Sequence, residues 1–285
     1  YEKKWDNNRQ LIIKNSLLHF DRSIDQFNYA FNGEQLSSFS EATYSFGSEE
    51  SSWVLGANVI SDNFNEGDLT TSDRSYNQFT SGIFAQQVSK LSDRFSIESG
   101  FRLDHNDDYG WFALPRVALF YKPNTSFTYR LSGGLGYKTP TIFTEDTERL
   151  SFRGLSAFNL EDLDAERSYG GNFDINYKTA FGNDWTFSLN QLFFYTTLND
   201  PLVLTENPVN NFLFENASGP VSSRGLETNL KLTYKDFKLF FNYALIDTRL
   251  DYENINDQKP LTAKHNIGTV LVYEVEGKWR LGLEG

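Results

Sequence analysis

The chain has 285 residues, a formal net charge of −12 and no cysteine, which excludes a disulfide framework and a thiolate metal site. The acidic balance leaves no basic patch to neutralise phosphates and so argues against a nucleic-acid partner. Mean hydropathy is negative and no run approaches the ~20 apolar residues of a membrane helix, yet 16% of the chain is aromatic, with 26 Phe and 15 Tyr.

Residues 1–8 contain neither an initiator methionine nor an apolar signal segment. Alternation of polar and apolar residues then predicts strands over 9–20 and 36–46, with 26–31 ambiguous between strand and loop. A short turn at 47–51 leads to a strand over 52–62, and a long loop at 63–75 to one over 76–89. After the turn 90–93 comes a strand over 94–103, then a longer connection, 104–110. Its Asn106-Asp107-Asp108 lacks the order of a calcium loop and reads as an acidic turn. Strands over 111–121 and 127–137 flank the turn 122–126.

The loop 138–163 is the longest. Beyond it, residues 166–178 place Tyr169, Phe173, Ile175 and Tyr177 on one face and Ser168, Asn172, Asp174 and Asn176 on the other. A helix would mix the two sets. The turn 179–184 leads to a strand over 185–197, which alternates except at Leu192 and Phe194. A loop at 199–218 precedes strands over 225–234 and 237–245, joined at 235–236. The loop 251–261, a strand over 262–273, the turn 274–277 and a partial strand from 278 end the chain. That makes thirteen strands, the last incomplete, in one domain over 1–285. The chain is expected to be a piece of a longer protein.

Short and long connections alternate, so the tight turns gather at one end and the long loops at the other. Outer-membrane barrels have this rhythm, with short turns on the periplasmic side and long loops outside. The polar faces carry more charge than a sandwich core could bury without partners. A water-filled or plugged lumen accepts them, and closure protects strand edges from aggregation. The expected class is all-β: an antiparallel transmembrane β-barrel.

Specific residues sharpen this. Ser81-Gly-Ile-Phe-Ala-Gln86, Ile97-Glu-Ser-Gly-Phe-Arg-Leu-Asp104, Leu114-Pro-Arg116 and Tyr129-Arg-Leu-Ser-Gly-Gly-Leu-Gly-Tyr-Lys-Thr-Pro140 follow one another in order. Downstream come Leu163-Asp-Ala-Glu-Arg-Ser-Tyr-Gly-Gly171, Asn190-Gln-Leu-Phe-Phe-Tyr195, Phe214-Glu-Asn-Ala-Ser-Gly219 with Arg224-Gly-Leu-Glu227, and Tyr243-Ala-Leu-Ile-Asp-Thr248 with Pro260-Leu-Thr-Ala-Lys-His265. The series resembles the barrel of TonB-dependent outer-membrane receptors over residues 76–273. Its flavour is similar to Bacteroidetes-type members. The resemblance implies about thirteen strands of a 22-stranded barrel plugged by an N-terminal domain. It implies that the plug, the TonB-box segment and the terminal strands lie outside this sequence.

No GxSxG, P-loop or metal-hydrolase motif occurs, so no enzyme is expected. His19, His105 and His265 lie far apart and read as ordinary polar histidines; no metal site and no cofactor are expected. In the 138–163 loop, Glu145, Arg149, Phe152 and Arg153 combine charge with aromatic surface. They are the candidates for outer-loop ligand binding, because an arginine fork matches carboxylates or phosphates. The plainer reading is a solvated loop with internal ion pairs.

The resemblance implies an outer-membrane receptor that takes up a scarce nutrient, a ferric siderophore or similar metal chelate first, with energy from TonB through the plug. Iron would then belong to the substrate. Its expected partners are that small molecule, outer-membrane lipid and the TonB complex. A passive porin and a secreted β-rich binding protein or adhesin are the alternatives.

Overall fold

The computed structural model of the chain describes residues 1–5, 8–67, 74–206, 211–252, 255–260 and 262–285, with the backbone alone at 160, 255 and 256. Parts of three expected loops, at 68–73, 207–210, 253–254 and 261, lie outside the described residues, as do residues 6–7. The chain forms one antiparallel meander. It starts with β1 (Glu2–Trp5), β2 (Arg9–Gln26), β3 (Tyr29–Gly47), β4 (Ser51–Glu66) and β5 (Tyr76–Lys90). It continues with β6 (Phe95–Asn106), β7 (Gly110–Tyr121), β8 (Phe127–Lys138), β9 (Glu166–Phe181) and β10 (Trp185–Asn199). A short helix, α1 (Glu145–Arg149), lies between β8 and β9. A separate hairpin, β11 (Leu202–Glu206) and β12 (Phe212–Asn216), follows β10. The main sheet resumes with β13 (Val221–Tyr234) and β14 (Phe237–Tyr252), which carries the spur β15 (Ile255–Gln258), then β16 (His265–Val275) and β17 (Trp279–Glu284). The thirteen expected strands are β2 to β10, β13, β14, β16 and β17. The sheet is open: among the described residues its two end strands do not pair with each other.

Two expected connections are tighter than the sequence pattern suggests. Residues 26–31 are no loop: Gln26 pairs with Tyr29 across a two-residue turn, with Asn28 at φ 59°. Asn tolerates that left-handed conformation better than most side chains. Between β6 and β7 only residues 107–109 lie outside strands. There Asn106 Oδ1 accepts from the amides of Asp108 (3.0 Å) and Tyr109 (3.1 Å), an Asx turn that reverses the chain within three residues. At the other end the connections from β3–β4 to β16–β17 are tight turns, as expected.

Register fixes which residues share a face, because paired residues point the same way. One row runs Ile97–Leu119–Leu131–Phe173–Phe193–Leu226–Leu245 across seven strands. On the opposite face a row runs Thr128–Asn176–Asn190–Asn229–Asn242. In this second row Asn190 donates to Asn176 (3.0 Å) and Asn242 to Asn229 (2.7 Å). The apolar face leaves Ile83 61% and Ile267 68% exposed, with many Phe, Leu and Val beside them. So large an apolar surface is costly in water and favourable against lipid.

Aromatic residues rim that face. At the short-turn end Phe95–Tyr121, Phe127–Tyr177, Trp185–Tyr234, Phe237–Tyr273 and Tyr273–Trp279 form ring pairs with centroids 4.3–5.0 Å apart. At the loop end Trp111, Tyr169 and Tyr195 stand exposed. Amphipathic rings take up this position at the two membrane–water boundaries. On the polar face the sequence exceptions Leu192 and Phe194 point inward with the Asn row. Phe84 does the same and lies over Gly56, where a Cβ would come 2.2 Å from its ring.

Candidate ligand-capture surface

The 27 residues joining β8 to β9, 139–165, fold back over the polar face instead of standing free in solvent. Thr144 starts the turn. Its side chain caps α1 by accepting from the Thr147 amide, and Thr147 Oγ1 accepts from the Thr144 amide at 3.0 Å and donates to the Ile142 carbonyl at 2.6 Å. After α1 the backbone turns left-handed at Ser151 (φ 51°) and Phe152 (φ 61°). That reversal drives Phe152 inward.

Phe152 is fully buried, its ring stacked on Phe31 at 4.4 Å and edge-on to Phe143 at 5.8 Å. Phe64, Tyr76, Phe158 and Phe214 complete an aromatic cluster at the loop end of β3 to β5. Polar bonds fasten its edges. Arg74 ion-pairs with Glu66, each side chain 2% exposed, and donates through Nη1 to the Phe152 carbonyl at 2.6 Å. Burial opposes the Arg74 charge, but Glu66 and Tyr29 together outweigh it and hold the guanidinium above its ordinary pKa. Arg22 Nη1 reaches both carboxylate oxygens of Glu148 (2.7 and 2.6 Å), with its guanidinium over the Phe152 ring.

The β11–β12 hairpin closes the other side. Phe212 exchanges backbone bonds with Gly154 and Ser156, both 2.7 Å, and Phe214 packs edge-on to Phe158. Asn216 accepts from the Asp164 amide and donates to the carbonyls of Asp164 and Asp200. Glu166 Oε1 accepts from the Leu202 amide at 2.8 Å. Three connections distant in sequence thus form one surface.

Between α1, the start of β11 and the loop ends of β13 and β14 lies a cavity of about 360 Å³. Its floor is apolar, from Leu198, Leu202, Val221 and Leu250; Glu145, Asp146, Arg149, Glu166 and Lys259 line its rim. Lys259 is 3.5 Å from Glu145, and Arg149 pairs with Asp146. An apolar floor with a few convergent charges suits a small molecule.

Of the four residues singled out from sequence, Glu145 and Arg149 meet at this cavity. The other two do not join them. Phe152 anchors the loop from inside the cluster, and Arg153 is exposed with its guanidinium 5.9 Å from the Tyr29 ring centroid. Sequence reasoning missed Lys259, which no local motif marks, and Glu166, which lies in the Leu163–Gly171 series without standing out as a site residue. Burial, then the neighbouring Asp107, raises the carboxyl pKa of Asp108 in the β6–β7 turn. The three histidines stay apart: His19 bonds Glu34, His105 faces Asp107, and His265 bonds the Tyr243 hydroxyl.

The family profile described as TonB dependent receptor-like, beta-barrel matches residues 2–284. Among solved structures, the siderophore receptor PirA from Acinetobacter baumannii superposes with a TM-score of 0.73 at 16% identity, over 99% of this chain and 48% of that one. The FrpB iron transporter from Neisseria meningitidis gives 0.74 at 12% identity, over 96% and 47%. A mutant of the ferric enterobactin receptor PfeA from Pseudomonas aeruginosa, in complex with enterobactin, gives 0.71 at 15% identity, over 99% and 48%. At such identities these likenesses establish the fold. The chain spans about half the length of the structures it matches. No curated protein matches it.

Proposed function

The chain belongs to the TonB-dependent receptor family through its β-barrel, and from that premise we propose that it works in the outer membrane as a receptor for energised uptake of a scarce nutrient. The family and the solved neighbours are transport receptors, not enzymes. A ferric siderophore or similar metal chelate is the substrate class of this reading. Iron is cargo here and no resident cofactor. The further barrel strands and a plug that contacts TonB are supplied by the rest of the working receptor.

One observation carries the reading. The cavity at the loop end opens beside the polar face of the sheet, and Arg149 and Lys259 stand on its rim, paired with Asp146 and Glu145. Oxygen-rich chelates carry negative charge, which a guanidinium and an ammonium recognise. The apolar floor holds the ligand's organic body. Capture at Arg149 and Lys259, the latter held by Glu145, then precedes passage along the polar face once the plug rearranges. Phe152 serves by fixing the loop that presents these charges.

A strain lacking the gene tests this on a panel of ferric siderophores, haem and cobalamin as sole iron or vitamin sources. The proposal expects a growth defect on at least one ferric chelate, restored by the wild-type gene. Unimpaired growth on every ferric source contradicts it.

A further inference from the structure

The β11–β12 hairpin is a sheet of two strands, and among the described residues β11 pairs with β12 alone. The phase of its hydrogen bonds is fixed at one end. The Ala217 amide donates to the Pro201 carbonyl at 2.9 Å, so Val203 and Thr205, which follow at two-residue steps, also turn their backbone groups toward β12. Leu202, Leu204 and Glu206 turn theirs the other way. The partner strand shows the same phase: Phe212, opposite Glu206, spends its N–H and C=O outside the hairpin, on Gly154 and Ser156.

That outer edge of β11 opens on the capture cavity. Its Leu202 amide donates to Glu166 Oε1 at 2.8 Å, and Glu166, Leu202 and Val203 all line the cavity. Beyond this bond the edge is bare. The Leu202 carbonyl and the Leu204 N–H and C=O have no hydrogen-bond partner among the described residues. An unpaired strand edge is a template for one more strand. This one runs over the five residues Leu202–Glu206, roughly 17 Å at ~3.3 Å per residue.

The cavity around the edge narrows what can lie there. Its rim holds three carboxylates, Glu145, Asp146 and Glu166, against two cations, Arg149 and Lys259. Arg149 is held by Asp146 and Lys259 by Glu145. Such a rim offers partners to charges of both signs, and the bare edge offers partners to amides. The floor of Leu198, Leu202, Val221 and Leu250 suits apolar side chains, which in an extended chain all fall on one face at every second residue.

We propose that the ligand captured here is built on a peptide backbone, and that its extended chain adds to the outer edge of β11 as a third strand centred on Leu204. Its terminal charges meet the rim and its alternate side chains meet the floor. This inference rests on the capture role proposed above and names the scaffold of the ligand, a short peptide that bears the metal-binding groups.

The test titrates the full-length receptor in detergent with the tetrapeptide Leu-Val-Leu-Val, free at both ends, followed by calorimetry. Two isomers probe the pairing: one is N-methylated at the amide of the third residue, the other at those of the second and fourth. Alternate amides of an added strand face its partner. One isomer should therefore bind about tenfold more weakly than the parent, through a lost hydrogen bond and the bulk of the methyl group, and the other within about twofold of it. L204P removes the outward N–H and leaves the hairpin ladder intact; it should weaken the parent about fivefold. Hydrogen exchange over 202–206 should slow when the parent is bound. Absent binding of the parent overturns the proposal, as do two isomers that bind alike, wild-type affinity in L204P, or unchanged exchange over 202–206. Heat-modified mobility checks that L204P keeps its barrel, and the isomer pair on wild-type protein decides alone if it does not. The readouts are separate from transport. Peptide pairing without ferric uptake defeats the functional reading and upholds this one; ferric uptake without peptide pairing does the reverse.

Discussion

The ring of Phe152 lies flat against that of Phe31, with centroids 4.4 Å apart and planes within 9° of parallel. The two residues are joined by no local element; one opens β3 and the other follows α1. Their contact fixes the long β8–β9 connection to the wall and sets α1, with Glu145 and Arg149, over the cavity.

Replacing Phe152 by Ala removes that anchor. Phe→Ala in a core costs about 3–5 kcal/mol, so local opening of residues 139–165 should rise by roughly two to four powers of ten. Hydrogen exchange reads this directly. Protection in β9 should stay unchanged, because its ladder to β8 and β10 does not involve Phe152.

The Glu66–Arg74 pair behaves as a unit. Removing one partner strands the other charge at 2% exposure, at a cost of about 3–5 kcal/mol. Glu66→Gln or Arg74→Met alone should therefore loosen the cluster more than the two together. A double-mutant cycle on loop protection checks it; strictly additive effects would mean the pair is not coupled.

The strands themselves were legible because lipid and lumen impose a two-residue period. That period fades where both faces are wet. Beyond Phe20, β2 reads Asp21-Arg22-Ser23, without alternation, so the β2–β3 hairpin at 27–28 reads as ambiguous between strand and loop. The β6–β7 turn was hidden for another reason: the Asn106 side chain supplies the bonds that let three residues reverse the chain. Inside the long loops the order is tertiary. Glu145 and Arg149 stood out as charges beside aromatics, whereas Lys259 reaches the same cavity from another connection and no local pattern announces it. Phe152 looked like ligand surface in sequence; only the left-handed turn before it shows why it points inward.

Face assignment makes a sharp contrast between neighbours. Leu230 lies mid-band on the apolar face and Asn229 on the polar one. Leu230→Arg should cost about 2–4 kcal/mol, visible as a lower temperature for the heat-modified gel shift. Asn229→Arg should shift it little. Equal effects would contradict the register.

Reversing charge at the cavity rim should weaken capture. Arg149→Glu and Lys259→Glu are each expected to raise the Kd for a ferric chelate about tenfold, or ~1.4 kcal/mol. Titration followed by intrinsic tryptophan fluorescence measures it. Arg153→Glu should have a smaller effect, since its side chain lies on the Tyr29 side of the loop.

Uptake of a radiolabelled ferric chelate by cells carrying the receptor, with and without an uncoupler, tests the central claim most directly. Energised transport predicts accumulation above the external concentration that collapses when the proton gradient is dissipated and is missing in the deletion strain. Equilibration to the external concentration, unaffected by the uncoupler, would contradict it and identify a passive channel.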